Sequence, residues 1–309
     1  VKRRPSRERA SADTPRWAQL LTESRNPRSR RLDTLPIGKV VALLLDEDRR
    51  AIQAAAREGA SITRAAREAT RALERGGRIV FLGAGTSGRL GVLEAAECPP
   101  TFGSDPDLIR GVMAGGEGAV LRAVEGAEDR EDHGRREGAR LRRGDLLVGV
   151  SASSVTPFVR AALSAARRKG ARTVLVTCAP GRGLRRLADV VVAVATGPEV
   201  LTGSTRLKAG SATKAVLNCI TTAAMVQLGK AYENLMVDLR QTSAKLEDRA
   251  RRIVAMAGRV DREEAERLLA AAGGEAKTAI VMARLGLSAG ESRRRLARAR
   301  GQVRRAVER

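Results

Sequence analysis

Residues 78–103 read RIVFLGAGTSGRLGVLEAAECPPTFG, and the parsing of this stretch decides the fold. An apolar run, Ile79 to Leu82, enters Gly83, Ala84, Gly85, Thr86, Ser87 and Gly88, and a helix-forming segment, Arg89 to Glu97, follows. Strand, glycine turn and helix in that order aim backbone N–H groups and a positive helix end at an anion. Glycine permits the sharp bend and a close backbone approach to a ligand. Thr86 and Ser87 add two hydroxyls, so the stretch reads as a phosphate cradle built around Gly85, Thr86 and Ser87. The spacing GxGxxG also marks dinucleotide sites. Three uses stay open on spacing alone: a phosphate, a dinucleotide, and a strand–helix turn with no ligand. A dinucleotide site wants an acidic residue closing the second strand. Here that strand, Leu108 to Met113, ends in Ala114, Gly115 and Gly116, while Asp105 and Asp107 precede it.

Outward from this stretch, short β-rich runs alternate with helical ones. Leu146–Val150, Thr173–Thr177 and Val190–Val194 are continuous apolar runs, as expected of strands buried on both faces. The alternation predicts an α/β fold, a parallel sheet flanked by helices. The third strand ends in Ser151, Ala152, Ser153, Ser154, Val155, Thr156 and Pro157. Thr156 fits an N-cap with Pro157 at the first helical position. Ligands of open α/β sheets sit beyond the carboxyl ends of the strands, so turns 83–88 and 151–156 are expected to share a pocket; simple helix capping is the alternative. After the fifth strand, GPEVLTGSTRLKAG, 197–210, sets Ser204, Thr205 and Lys208 before a long helix expected over 211–229. That is another anion-friendly helix end, or an ordinary cap with solvated cations.

Upstream, helices are expected over 38–56 and 61–75, stopped by Gly76-Gly77. Residues 22–37, with Pro27 and Pro36, read as an extended arm. Residues 1–21 are basic and polar, and their composition predicts disorder. Downstream, 234–249 reads as helix. Residues 251–309, broken at Gly258, Gly273-Gly274 and Gly286, read as a C-terminal three-helix appendage.

Hydrophobic residues make up 43% of the 309 and aromatics 2%, so the core must be aliphatic. So few aromatics argue against base-stacking nucleic-acid modules. The net charge of +23 invites a nucleic-acid reading, but the excess is spread along the chain and no DNA-reading spacing accompanies it. A solvated arginine-rich surface that attracts anions is the simpler reading. Three widely spaced cysteines, Cys98, Cys178 and Cys219, suggest neither a disulfide framework nor a metal clip, which fits a reducing cytoplasm. There is no signal-like apolar segment at the start and no apolar run of membrane-spanning length.

His133 is the single histidine. Acid–base work therefore falls on carboxylates or lysines, and a pair of carboxylates in different protonation states is the arrangement to look for. Glu97, among Val92, Leu93, Ala95 and Ala96, is expected to be buried at a helix end where Pro99 and Pro100 expel the chain from the helix. Glu125, Glu128 and Asp129 form the second candidate group. The residues alone do not choose among these four.

LGAGTSGRLGVLEAAECPPTFG, AGGE with AVEGAED, TGSTRLKAGSATK and NLMVDL resemble the N-acetylmuramic acid 6-phosphate etherase family, from about Thr22 to the C-terminus. The resemblance implies a sugar isomerase (SIS) phosphosugar-binding domain at 69–232, a five-stranded parallel sheet flanked by helices. It sets 22–68 as an N-terminal arm with helices and 233–309 as a C-terminal helical region. It implies cleavage of the D-lactyl ether of N-acetylmuramic acid 6-phosphate to N-acetylglucosamine 6-phosphate and D-lactate in cell-wall recycling, without metal or nucleotide cofactor, in a cytoplasmic homodimer. By motif, Glu97 of ECPP is the proton donor to the departing oxygen, and Glu128 of EGAED is the base at carbon 2. The phosphate falls to Thr86 and Ser87, to the Ser153–Thr156 turn including Ser154, and to Ser204 and Lys208. The family reads A-A-S-G-R-T-P-Y at the third turn, whereas Ser154 and Val155 stand here for its Gly-Arg. A regulatory protein that binds sugar phosphates without catalysis is the other reading; the presence of Glu97 and Glu128 favours the enzyme.

Overall fold

In the computed structural model, residues 20–181, 183–239, 241 and 243–308 are described. The basic segment 1–21, expected to be disordered, lies outside them except for its last two residues. Residues 22–37 are not simply extended. Three 3-10 turns, Leu21–Glu23, Pro27–Ser29 and Leu32–Thr34, lead into α1 (Ile37–Arg57) and α2 (Gly59–Glu74). Then β1 (Ile79–Gly83), α3 (Gly85–Phe102), β2 (Ile109–Met113), α4 (Gly118–Leu121), α5 (Glu131–Ala139), β3 (Leu146–Val150), α6 (Pro157–Arg168), β4 (Arg172–Thr177), β5 (Val190–Ala193) and α7 (Lys208–Gln227) follow.

The five strands are parallel, in the order β2-β1-β3-β4-β5. The pleat sends alternate residues to opposite faces. Ile79, Phe81, Val148, Val150, Val174 and Val176 enter a core shared with α1, α2, α3 and α7. Val80, Leu82, Leu147 and Leu175 enter another beneath α6. With both faces covered, continuous apolar strands are the stable choice. Strand order reverses between β1 and β3, and that is where an open sheet leaves a crevice beyond its carboxyl ends.

α3 runs past the two prolines that were expected to end it, to Phe102. Proline φ is itself helical; what it removes is hydrogen bonds, and here both prolines fall in the last turn. Buried Cys98 and Phe102 hold that turn to the core, and Gly103, at φ 61°, ends it by donating to Pro99 O.

Residues 234–249 are not one helix either. β6 (Ala231–Tyr232) and β7 (Leu235–Met236) form an antiparallel hairpin, turned by Glu233 at φ 53°. The next helix, α8 (Ala244–Gly258), waits for its N-cap Ser243, whose hydroxyl accepts from Leu246 N. α9 (Arg262–Ala271), α10 (Ala276–Leu285), α11 (Ala289–Arg298) and α12 (Val303–Glu308) complete a C-terminal helical unit. Among the described residues of 251–309, α9 to α12 follow the end of α8, four helices where three were expected. α8 packs into the unit's own core, which begins at Tyr232, and Arg300 and Gly301, at φ 54° and 72°, split the last segment in two.

Candidate functional site

A cavity of about 290 Å³ opens beyond the carboxyl ends of β1 and β3. Its wall takes Gly85, Thr86 and Ser87 from the first turn and Ser153, Val155 and Thr156 from the third. Glu128, Asp129, Gly203, Thr205, Thr22 and Glu23 also line it. A larger groove, about 800 Å³, lies between α1, α2 and α7. Half its wall is alanine, isoleucine and valine, and Arg67, Arg71 and Glu74 are among the rest; it is the smaller hollow that joins hydroxyl-rich turns to a helix N-terminus beyond the carboxyl ends of the strands.

The glycine turn works through contact and conformation. A Cβ at Gly83 would stand 2.7 Å from Gly88 N, and one at Gly88 2.7 Å from Gly83 O. Strand and helix start therefore touch through backbone, and Gly85 turns between them at φ 54°. Ala84, at the N-cap of α3, provides no side-chain cap, so the N–H groups of Gly85, Thr86 and Ser87 have no partner within the helix. They end at the cavity with the helix's partial positive charge. At the third turn, Ser151 and Thr156 share a hydroxyl hydrogen bond of 2.9 Å. Ser154 keeps a left-handed backbone, φ 65°, a shape that costs a non-glycine residue about 1 kcal/mol or more. The loop thus holds the conformation a glycine would take, and it is Val155 that reaches the wall.

Among the described residues the wall carries no lysine, arginine or histidine. What the wall offers an anion is N–H groups, hydroxyls and a helix N-terminus. Ser154 and Ser204, expected as ligands, are not on the wall; their neighbours Ser153, Gly203 and Thr205 are. Lys208, expected at the phosphate, is instead held by α1: its ammonium is 2.5 Å from Glu47 Oε2 in a buried pair, and it is not on the cavity wall. Burial pushes the Glu47 carboxyl up, but hydrogen bonds from Lys208 and Arg28 outweigh it and hold it below its ordinary value. The start of α7 is closed by buried Glu199, which accepts from Lys208 N at 3.3 Å and Ala209 N at 3.0 Å. Burial leaves the Glu199 carboxyl raised despite those bonds.

Glu128 stands on the wall, in a 3-10 turn, Ala127–Asp129, that follows Gly126 at φ 68°. Glu97 does not. It was expected among apolar neighbours, but it lies on the exposed side of α3. The carboxylate α3 buries is Glu94, 5% exposed, which accepts from Lys214 Nζ at 3.0 Å and from Thr221 Oγ1. The helix period explains the swap: Glu97 is one position short of Cys98, which occupies the inward row with Glu94. Glu94 lies within the same quoted motif as Glu97, but nothing local says which of the two turns inward; that choice, and the places of Glu47, Glu199 and Glu23, emerge only with the tertiary structure.

Two family descriptions match the chain: "Glucokinase regulatory protein N-terminal SIS domain" over residues 61–167 and "SIS domain" over residues 124–223. A protein of Mycolicibacterium smegmatis named N-acetylmuramic acid 6-phosphate etherase is 50% identical over 290 residues, 93% of this chain and 97% of its own. One of Salmonella dublin with the same name is 48% identical over 94% of this chain and 98% of its own. A solved phosphoheptose isomerase from Neisseria gonorrhoeae is 22% identical, with a TM-score of 0.46 over 61% of this chain and 98% of that one.

Proposed function

The chain belongs to the N-acetylmuramic acid 6-phosphate etherase family, and from that premise we propose that Glu128 and Glu97 move the protons that cleave the D-lactyl ether of N-acetylmuramic acid 6-phosphate. The products are N-acetylglucosamine 6-phosphate and D-lactate, and the enzyme is a carbon–oxygen lyase. The observation that carries the mechanism is a glutamate, Glu128, on the wall of a hydroxyl-lined cavity at the sheet's switch point. The phosphate sits against the N–H groups of 85–87 and the hydroxyls of Thr86, Ser87, Ser153 and Thr156. In the open-chain sugar the aldehyde acidifies the carbon 2 proton. Glu128 takes that proton, the carbon 3–oxygen bond breaks, and Glu97 protonates the departing lactate oxygen. Water then adds across the carbon 2–carbon 3 double bond, its hydroxyl to carbon 3 and a proton to carbon 2. The SIS unit is taken as 69–232, and the reaction as a cytoplasmic step of cell-wall recycling.

A homodimer gives Glu97 its place. Glu97 is exposed and off the cavity wall of its own chain, and Leu93, one turn before it, is 42% exposed. α1 also presents Ile37, Val41, Leu45 and Ile52 outward, an apolar stripe of helical spacing that suits a second copy. In this reading each site takes Glu128 from one subunit and Glu97 from the other. Purified protein incubated with N-acetylmuramic acid 6-phosphate is expected to release D-lactate; sugar-phosphate binding without lactate would leave only a regulator. Re-assembled mixtures of Glu97→Gln and Glu128→Gln are expected to regain about a quarter of wild-type activity, since half the dimers are mixed and one of their two sites is intact. No recovery would place both glutamates in one chain's site.

Val155→Arg brings a cation to a wall that has none. KM is expected to fall about tenfold, the scale of one charge-assisted hydrogen bond, and to become more sensitive to salt. An unchanged KM at low salt would show that residue 155 does not meet the phosphate.

A further inference from the structure

The N-terminal arm brings a carboxylate to the cavity that no motif announces. Thr22 and Glu23 both stand on its wall. Gly203 N donates to Thr22 O at 3.2 Å, and a Cβ at Gly203 would lie 3.1 Å from Glu23 Oε2. The Glu23 carboxylate is therefore seated against the backbone of the 203 turn, itself part of the wall.

The arm is anchored firmly. Three residues on from Glu23, buried Asn26 donates to Glu47 Oε2 and to Pro198 O, each at 3.0 Å. Arg28 reaches Glu47 Oε1 at 2.5 Å, and the same carboxylate holds Lys208. This cluster ties the arm to α1, to the loop before α7 and to α7 itself. Glu23 itself is exposed, and its side chain has neither an ion pair nor a hydrogen bond among the described residues. Beside it, among the same residues, Thr22 Oγ1 is buried without a partner, an arrangement that ordinarily costs stability. A buried hydroxyl without a partner and an exposed carboxylate thus lie side by side on an anchored wall.

Placed near Glu128 and Asp129, a third carboxylate repels a phosphate. It becomes favourable if what it meets is the other end of the ligand. An open-chain sugar phosphate has an anion at one end and hydroxyl donors along the rest, and a carboxylate accepts hydroxyl hydrogen bonds strongly. We propose that Glu23 is a substrate-binding residue whose carboxylate accepts from a sugar hydroxyl, orienting the chain so that the phosphate lies toward residues 85–87 and carbon 2 toward Glu128. This rests on the etherase reading for the sugar's identity.

Calorimetric titration of wild type, Glu23→Gln and Glu23→Ala with N-acetylglucosamine 6-phosphate and with inorganic phosphate tests it. Glu23→Ala is expected to weaken the sugar phosphate about tenfold, the loss of a charge-assisted hydrogen bond, and Glu23→Gln less, because its amide oxygen still accepts. Inorganic phosphate should bind both variants as well as wild type or better, with the melting temperature unchanged. In turnover, KM should rise with the weakened binding while kcat moves less. Equal sugar-phosphate affinity in wild type and Glu23→Ala overturns the proposal. So does a parallel loss of sugar-phosphate and inorganic-phosphate binding with a lowered melting temperature, which marks a purely structural residue. A wild type that shows the binding difference but releases no lactate would overturn the etherase reading and leave this one standing.

Discussion

Glu128→Gln is expected to lower D-lactate release at least about 10³-fold, within the range for a lost general base or acid, while N-acetylglucosamine 6-phosphate still binds. The amide fills the same space on the cavity wall but cannot take the carbon 2 proton. Glu97→Gln is expected to lose as much, for the opposite reason: it cannot deliver a proton to the leaving oxygen. Solvent exchange separates the two. In deuterated water, Glu97→Gln should still exchange the carbon 2 hydrogen of the product, because Glu128 remains; Glu128→Gln should not. Retained turnover in either variant removes that residue from its role. Exchange lost equally in both would mean that the roles are not divided this way.

The largest stability change is expected at Glu47→Ala, with a loss of about 3–5 kcal/mol, the usual cost of leaving one partner of a buried ion pair behind. Lys208 is 3% exposed, and without Glu47 its ammonium has no carboxylate in contact among the described residues. A domain of this size should melt roughly 10 °C lower, and the arm carrying Glu23 should lose its anchor, weakening sugar-phosphate binding too. Lys208→Met is expected to cost less, since Glu47 keeps Asn26 and Arg28. Removing both charges, Glu47→Leu with Lys208→Met, should recover part of the loss. Thermal melts of the three variants decide it, and equal melting temperatures for wild type and Glu47→Ala would refute the account. The sign with pH follows from the depressed Glu47 value. Its contribution is complete above the ordinary carboxylate value of 4.5 and is lost as pH falls through the lower folded value. Glu199, raised by burial, works the other way: acid relieves its penalty rather than removing a support.

Local patterns were legible wherever one residue type settles a backbone. β3 has the bounds its apolar run suggests, and β1 ends one residue later, at Gly83. Gly85 takes the positive φ that its place in the turn requires. The two proline positions misled, because proline forbids hydrogen bonds more strictly than it forbids helical geometry, and the packing of Phe102 decided between them. The split at Arg300 was illegible, since arginine carries no sign that it will accept a left-handed backbone.

By itself the sequence determined the alternation of strands and helices, the two hydroxyl-rich turns and the family, because these depend on local spacing and on motifs read in order. The tertiary structure alone decided that Lys208 is held by Glu47, that Glu94 rather than Glu97 turns inward, and that Glu23 joins Glu128 at one cavity. Each of those depends on contacts between elements far apart in the chain, 161 residues apart for Lys208 and Glu47. No local pattern encodes which distant carboxylate will reach a given cation, because the choice is made by packing and by the cost of leaving a buried charge alone.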